Sequence, residues 1–113
     1  MPFINTKLSV QLDADKEQQL KDAFGKAITS LGKSEAWLML NFEDNCRLWF
    51  KGENESPIAI AEISLYGSAT RAQYDAMTAE ITEAISQIVG IQKSRVYVKY
   101  SEIETWGFGG NNL

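Results

Sequence analysis

Gly32-Lys33-Ser34-Glu35-Ala36-Trp37-Leu38-Met39-Leu40 can be laid over Gly90-Ile91-Gln92-Lys93-Ser94-Arg95-Val96-Tyr97-Val98 with only a small difference in the length of the connection. In each copy a glycine closes a helical pattern and an apolar, strand-like run follows a few residues later. Ahead of Gly32 the apolar positions Leu20, Ala23, Phe24, Ala27, Ile28 and Leu31 make a helical stripe; ahead of Gly90 the stripe is Tyr74, Met77, Ile81, Ile85 and Ile88. Asp15 with Gln18, and Thr70 with Gln73, have the spacing of capping pairs. Extended, β-prone runs precede both helices, at Phe3–Val10 and Ile58–Leu65. They also follow both, at 36–42 and 95–100, and Cys46–Phe50 reads as one further short strand. The chain is therefore expected to be one domain over residues 1–113, a tandem β-α-β duplication with repeats at about 2–51 and 58–108. The predicted fold class is α+β in two layers, a four-stranded mixed sheet with two helices on one face.

The strands raise a question of cover. Ile58, Ile60 and Ser64 point one way, while Ala59, Ala61, Ile63 and Leu65 point the other. Read as apolar on both faces, such a sheet needs more than two helices, and another copy of the chain is the expected source.

Composition narrows the chemistry. Eleven Lys and Arg against 15 Asp and Glu give a net charge of -4, which speaks against nucleic acid or an anionic membrane as a general partner. There is no histidine, so neither a His-ligated metal nor a Ser-His or Cys-His nucleophile is expected. Cys46 is the single cysteine and is expected to be buried or inert. No signal-peptide pattern or membrane-length apolar run is present, so a cytoplasmic protein is expected, with any secretion by a non-classical route.

Met1-Pro2 is a sequence from which the initiator methionine is removed, leaving a secondary amine at the head of the first strand. A desolvated amine, or one beside another cation, has a lowered pKa and can serve as a base near neutral pH. Met-Pro alone is also compatible with an ordinary, inactive N-terminus.

Pro2-Phe3-Ile4-Asn5-Thr6, Gly32-Lys33, Ser64-Leu65-Tyr66-Gly67, Arg95–Tyr100 and the tail Gly107–Asn112, taken together and in this order, resemble the macrophage migration inhibitory factor family of the tautomerase superfamily. The resemblance covers nearly the whole chain. It implies a homotrimer whose three sheets surround a central channel, with active sites at the subunit interfaces. It further implies cofactor-free keto-enol interconversion of small α-keto or enol acids such as phenylpyruvate. Pro2 would be the catalytic base, and Lys33 would hold the substrate carboxylate while depressing the proline's pKa. The backbone N–H of Tyr66 would assist, and Tyr97 would reach in from a neighbouring subunit.

Other positions keep two readings. Lys33 at a helix end also suits the helix dipole. Trp37 is either a pocket-rim aromatic or a core residue at the start of a strand. Lys99, two residues from Tyr97, either adds charge to the pocket or extends to solvent. Phe108 fits an apolar rim position. The cysteine pair linked to thiol-redox activity in animal relatives is replaced by Ile58 and Ala61, so that activity is not expected. A cytokine-like or other protein-interaction trimer with a secondary or vestigial tautomerase site is the alternative function.

Overall fold

A computed structural model describes all residues from Met1 to Leu113. The sheet runs β2-β1-β3-β4, built from β1 (Pro2–Leu8), β2 (Met39–Glu43), β3 (Ala59–Tyr66) and β4 (Val96–Ile103). β1 pairs parallel with β2 and β3 parallel with β4, while β1 and β3 meet antiparallel at the centre. Each parallel pair is bridged by a helix, α1 (Ala14–Ala27) or α2 (Arg71–Val89), so β1-α1-β2 and β3-α2-β4 are the two repeats.

Local signals explain the helix ends. Thr70 and Gln73 form the expected reciprocal box, with bonds of 3.2 and 2.8 Å. For α1 the cap is Asp13, which accepts from the Lys16 N–H at 2.8 Å, and not the expected Asp15 pair. Asp15 already lies inside the first turn, where its charge suits the helix dipole. Past α1 a 3-10 turn over Ile28–Leu31 is closed by Gly32 at φ 70°, and Gly90 closes α2 at φ 81°. Both are left-handed positions that glycine occupies without steric cost.

One core holds the two layers together. Leu20, Phe24, Met77, Ile81 and Ile85 from the helices meet Ile4, Leu8, Ala61 and Ile63 from the two central strands. Each large side chain so buried contributes about 1.5–3 kcal/mol.

The opposite face of the sheet corrects one expectation. β1 and β3 alternate strictly, with Ile4, Leu8, Ala59, Ala61 and Ile63 turned to the helices. The other positions include apolar Phe3 and Ile60, but also Asn5, Lys7 and Glu62. The asparagines pair across strands, Asn41 Nδ2 donating to Asn5 Oδ1 at 2.8 Å. Glu62 lies between Lys7 (3.0 Å) and Lys99 (3.1 Å). This open face is half polar and makes its own ion pairs, so apolarity on both sides is not a property of the sheet.

Two strand assignments change as well. The segment 36–42 begins with a 3-10 turn, Glu35–Trp37, because the Ser34 side chain accepts the Ala36 N–H and turns the chain; β2 starts only at Met39. Arg95 likewise sits in a 3-10 turn, and β4 starts at Val96. Cys46–Phe50 joins no sheet, and only Phe50 makes an isolated bridge, to Glu53. Asn45 and Lys51 bracket this segment at φ 53° and 55°, which breaks extended pairing at both ends. Its apolar side chains pack elsewhere: Phe50 lies edge-on against Tyr97 at 5.2 Å and beneath the Arg95 guanidinium at 5.4 Å. Beyond β4 a small hairpin, β5 (Gly107–Phe108) and β6 (Asn111–Asn112), turns through Gly109 and Gly110, both at positive φ.

Candidate active site

Pro2 is the first residue of β1 and is buried. Strand pairing sets it opposite Leu65, so the start of the chain lies beside the end of β3. There the Tyr66 N–H donates to the Met1 carbonyl at 3.0 Å, and Lys33 Nζ donates to the Tyr66 carbonyl at 3.1 Å. The glycine-closed end of the first helical unit thus delivers Lys33 to the backbone of Tyr66 and to the N-terminus. Burial, and then the Lys33 charge, push the Met1 α-amine below its ordinary value. An uncharged amine is favoured at this corner of the molecule.

Pro2 opens on a cavity of about 600 Å³ walled by Phe3, Trp37, Met39, Trp106 and Phe108, with no charged side chain on its lining. Trp37 and Phe108 meet edge-to-face, with centroids 5.4 Å apart at 86°. Trp37 is 54% exposed and lines this cavity, so the core does not contain it. The tail hairpin supplies the other wall. Its strands are held by the Leu113 N–H donating to the Trp106 carbonyl at 2.9 Å, and residues 106 and 108 both reach the cavity. Neither Trp106 nor Met39 was expected from sequence. A tryptophan alone in a glycine-rich tail has no periodicity to mark it.

Pro2, Trp37 and Phe108 are therefore brought together, with Lys33 and Tyr66 joined beside Met1. Tyr97 and Lys99 are not with them. Tyr97 stands opposite Ile60, whereas the residue of β4 level with Pro2, through Leu65, is Glu102. Five residues of strand, about 17 Å, separate the two levels. Tyr97 instead packs on Phe50 and is 58% exposed. Lys99 shares the open face with it, where it is engaged by Glu62. Hydrogen bonds from Lys7, then Lys99, hold the Glu62 carboxyl below its usual range. A second depression of about 880 Å³ lies against α2, near Asp75, Glu80 and Glu83, and shares no lining residue with the first.

A duplicated β-α-β protein with a proline at the head of its first strand, opening on an aromatic cavity, is a tautomerase-superfamily architecture. The family model for macrophage migration inhibitory factor matches residues 1–112, and the chain belongs to that family. Among solved structures, MIF2 of Leishmania major superposes with a TM-score of 0.93 at 33% identity, covering 100% of this chain and 97% of that one. The macrophage migration inhibitory factor homologue of Prochlorococcus marinus gives 0.88 at 25%, covering 97% of each chain. A fused 4-OT described as an asymmetric trimer shares the fold, with a TM-score of 0.82 at 17% identity, over 97% of this chain and 94% of that one. No curated protein matches the sequence significantly. No helix is long and apolar enough to cross a membrane.

Proposed function

We propose that this protein is a cofactor-free keto-enol tautomerase of small α-keto acids, with phenylpyruvate as the representative substrate. The observation that carries the reading is the corner where Pro2 heads a buried strand, faces an aromatic cavity and has Lys33 and the Tyr66 backbone beside it. Membership of the superfamily supports the same chemistry.

Removal of Met1 would do two things at once. It turns the Pro2 nitrogen from an amide into a secondary amine with a lone pair. It also takes away the carbonyl that now accepts the Tyr66 N–H, leaving that donor for an incoming carboxylate. Lys33 supplies the opposite charge, and its attraction to the anion is strengthened by partial burial. The substrate's side chain would lie in the apolar cavity, whose volume suits a phenyl ring with room to spare.

The reaction then needs a single proton moved from a carbon to an oxygen two bonds away. The Pro2 amine takes a proton from the carbon beside the carbonyl, and the electron pair shifts onto the carbonyl oxygen. A proton returned to that oxygen gives the enol, and the reverse sequence gives the ketone. Holding the base uncharged by burial and by Lys33 suits it to the first step near neutral pH.

No hydroxyl of the same chain lines the cavity, and this motivates the second part of the proposal, a homotrimer. Exposed apolar side chains gather at two ends of the chain: Trp37, Met39 and Phe108 around Pro2, and Trp49 with Tyr97 at the far end of the sheet. Two different patches that meet head to tail close into a ring. In such a ring Tyr97 of one copy would sit beside Pro2 of the next and donate to the developing oxyanion. The half-polar open faces would line a wet channel. The trimeric fused 4-OT of the same fold supports self-association.

The deciding experiment is phenylpyruvate tautomerisation by the Pro2-started protein and by a form with one residue left ahead of Pro2. Turnover by the first and its near-complete loss in the second is the expected result. Equal rates would remove the Pro2 amine from the mechanism and leave the protein-interaction reading in front.

A further inference from the structure

Gly25 stands inside α1 with ordinary helical backbone angles, where glycine is the least favourable residue short of proline. No turn or positive φ requires it. What requires it is a side chain from elsewhere. The Glu35 carboxylate lies directly on the helix backbone at Gly25, in the space a Cβ would occupy; Glu35 Oε1 would be 2.9 Å from such an atom, and the rest of the carboxylate nearer still. One turn back on the same helix face, Lys21 Nζ lies 3.5 Å from Glu35 Oε2.

Glu35 opens the 3-10 turn Glu35–Trp37, two residues after Lys33 and two before Trp37. Its own carbonyl accepts the Leu38 N–H at 3.1 Å, while Ser34 holds Ala36 and Trp37 through its Oγ and its carbonyl. The connection that carries both the anion anchor and the aromatic rim is thus seated on α1 by one side chain. We propose that Glu35 and Gly25 are positioning residues: the carboxylate, seated on the bare helix backbone, fixes the 33–37 connection and so sets Lys33 and Trp37 relative to Pro2. The catalytic part of this inference rests on the tautomerase reading; the seat does not.

Shape carries the seat more than charge does. The Lys21–Glu35 pair is about half exposed on each side, and exposed pairs of this kind contribute little. The variants separate the two. Gly25→Ala fills the seat with a methyl group, displaces only the flexible end of Glu35 and suits the helix better than glycine, so the fold survives it. Glu35→Ala empties the seat, Glu35→Gln refills it with the same shape, and Lys21→Met removes the charge alone.

Two readouts are taken on the Pro2-started full-length protein: amide hydrogen exchange of residues 36–38, and steady-state kinetics with phenylpyruvate. Gly25→Ala and Glu35→Ala are expected to speed exchange at these amides and to raise KM roughly three- to tenfold, with kcat unchanged. Glu35→Gln is expected to restore parental exchange and KM, and Lys21→Met to match the parent. Parental exchange and KM in Gly25→Ala would overturn the proposal, as would Glu35→Gln behaving like Glu35→Ala. A parent protein inactive on phenylpyruvate would overturn the tautomerase reading instead, and the exchange data would then decide the seat alone.

Discussion

Lys33 and Tyr66 come from different repeats, yet Lys33 Nζ donates to the Tyr66 carbonyl across 3.1 Å, beside the start of the chain. This one bond ties the glycine-closed end of the first unit to the last residue of β3. It also fixes where a cation stands relative to the N-terminal amine, and the first prediction concerns that cation.

Lys33→Ala should raise KM for phenylpyruvate by about tenfold or more, since a charge-assisted contact to the carboxylate is lost. It should also move the pH profile. A base works unprotonated, so kcat/KM rises with pH through the amine's pKa. Removing a neighbouring cation raises that pKa and shifts the rising limb to higher pH. A pH-rate profile of parent and variant checks both statements; an unmoved limb would show that Lys33 does not act on the base.

Pro2 and Tyr97 lie at different levels of one sheet, so a shared site has a direct genetic test. Variants blocked ahead of Pro2, and separately Tyr97→Ala, are each expected to lose most activity. Unfolded together and refolded as a mixture, they should regain part of it, because some interfaces then pair an intact Pro2 with an intact Tyr97. Light scattering of the parent should return three times the 12.6 kDa chain mass. A stable monomer, or a mixture no more active than its parts, would refute the head-to-tail ring.

Glu62 makes a pH-dependent contribution to stability through Lys7 and Lys99. Its folded pKa is depressed, so the stabilisation is fully present above the unfolded value, about 4.3, and is lost as pH falls through the lower folded value. Glu62→Gln should therefore lower Tm at pH 7, by the equivalent of about 1 kcal/mol or less for partly exposed pairs. The difference should vanish in acid. Lys99→Ala should show a similar small loss, and a KM for phenylpyruvate near the parental one would agree with its engagement by Glu62. Thermal scans at pH 7 and below pH 4 carry the test.

Gly109 turns the tail hairpin at φ 61°, where a side chain is strained. Gly109→Ala should cost about 1 kcal/mol locally and loosen the wall formed by Trp106 and Phe108. KM for phenylpyruvate should rise, and that for a small aliphatic 2-oxo acid should change less, because only the ring needs that wall. An equal change for both substrates would mean the hairpin does not contact the substrate side chain.

The repeat, its helices and its closing glycines were legible because each depends on neighbours within one turn: Thr70 with Gln73, Gly32 and Gly90 after their stripes. Trp37 and Phe108 line the cavity at the head of β1 and Lys33 lies beside it, but the family resemblance, and no local pattern, singled them out. What escaped depends on pairing at a distance. The apolar run Cys46–Phe50 looks like a strand, but Phe50 serves Tyr97 and Arg95, which lie more than forty residues on. The Lys99–Glu62 pair needs the β3–β4 register, which no local pattern encodes. Ser34 seemed part of a plain connection, and its single bond to the Ala36 N–H turns three residues out of the expected strand.

The antiparallel meeting of β1 and β3 relates the two repeats by an approximate twofold axis, yet only one of them can begin with a free nitrogen. The second repeat enters its strand through Pro57-Ile58-Ala59, a proline too, but one tied into a continuous backbone. Joining two like halves into one chain therefore spends one amine in making the link. The half that lost its terminus need not keep a free nitrogen at the head of its strand, and evolution can reshape that end of the molecule independently of the other.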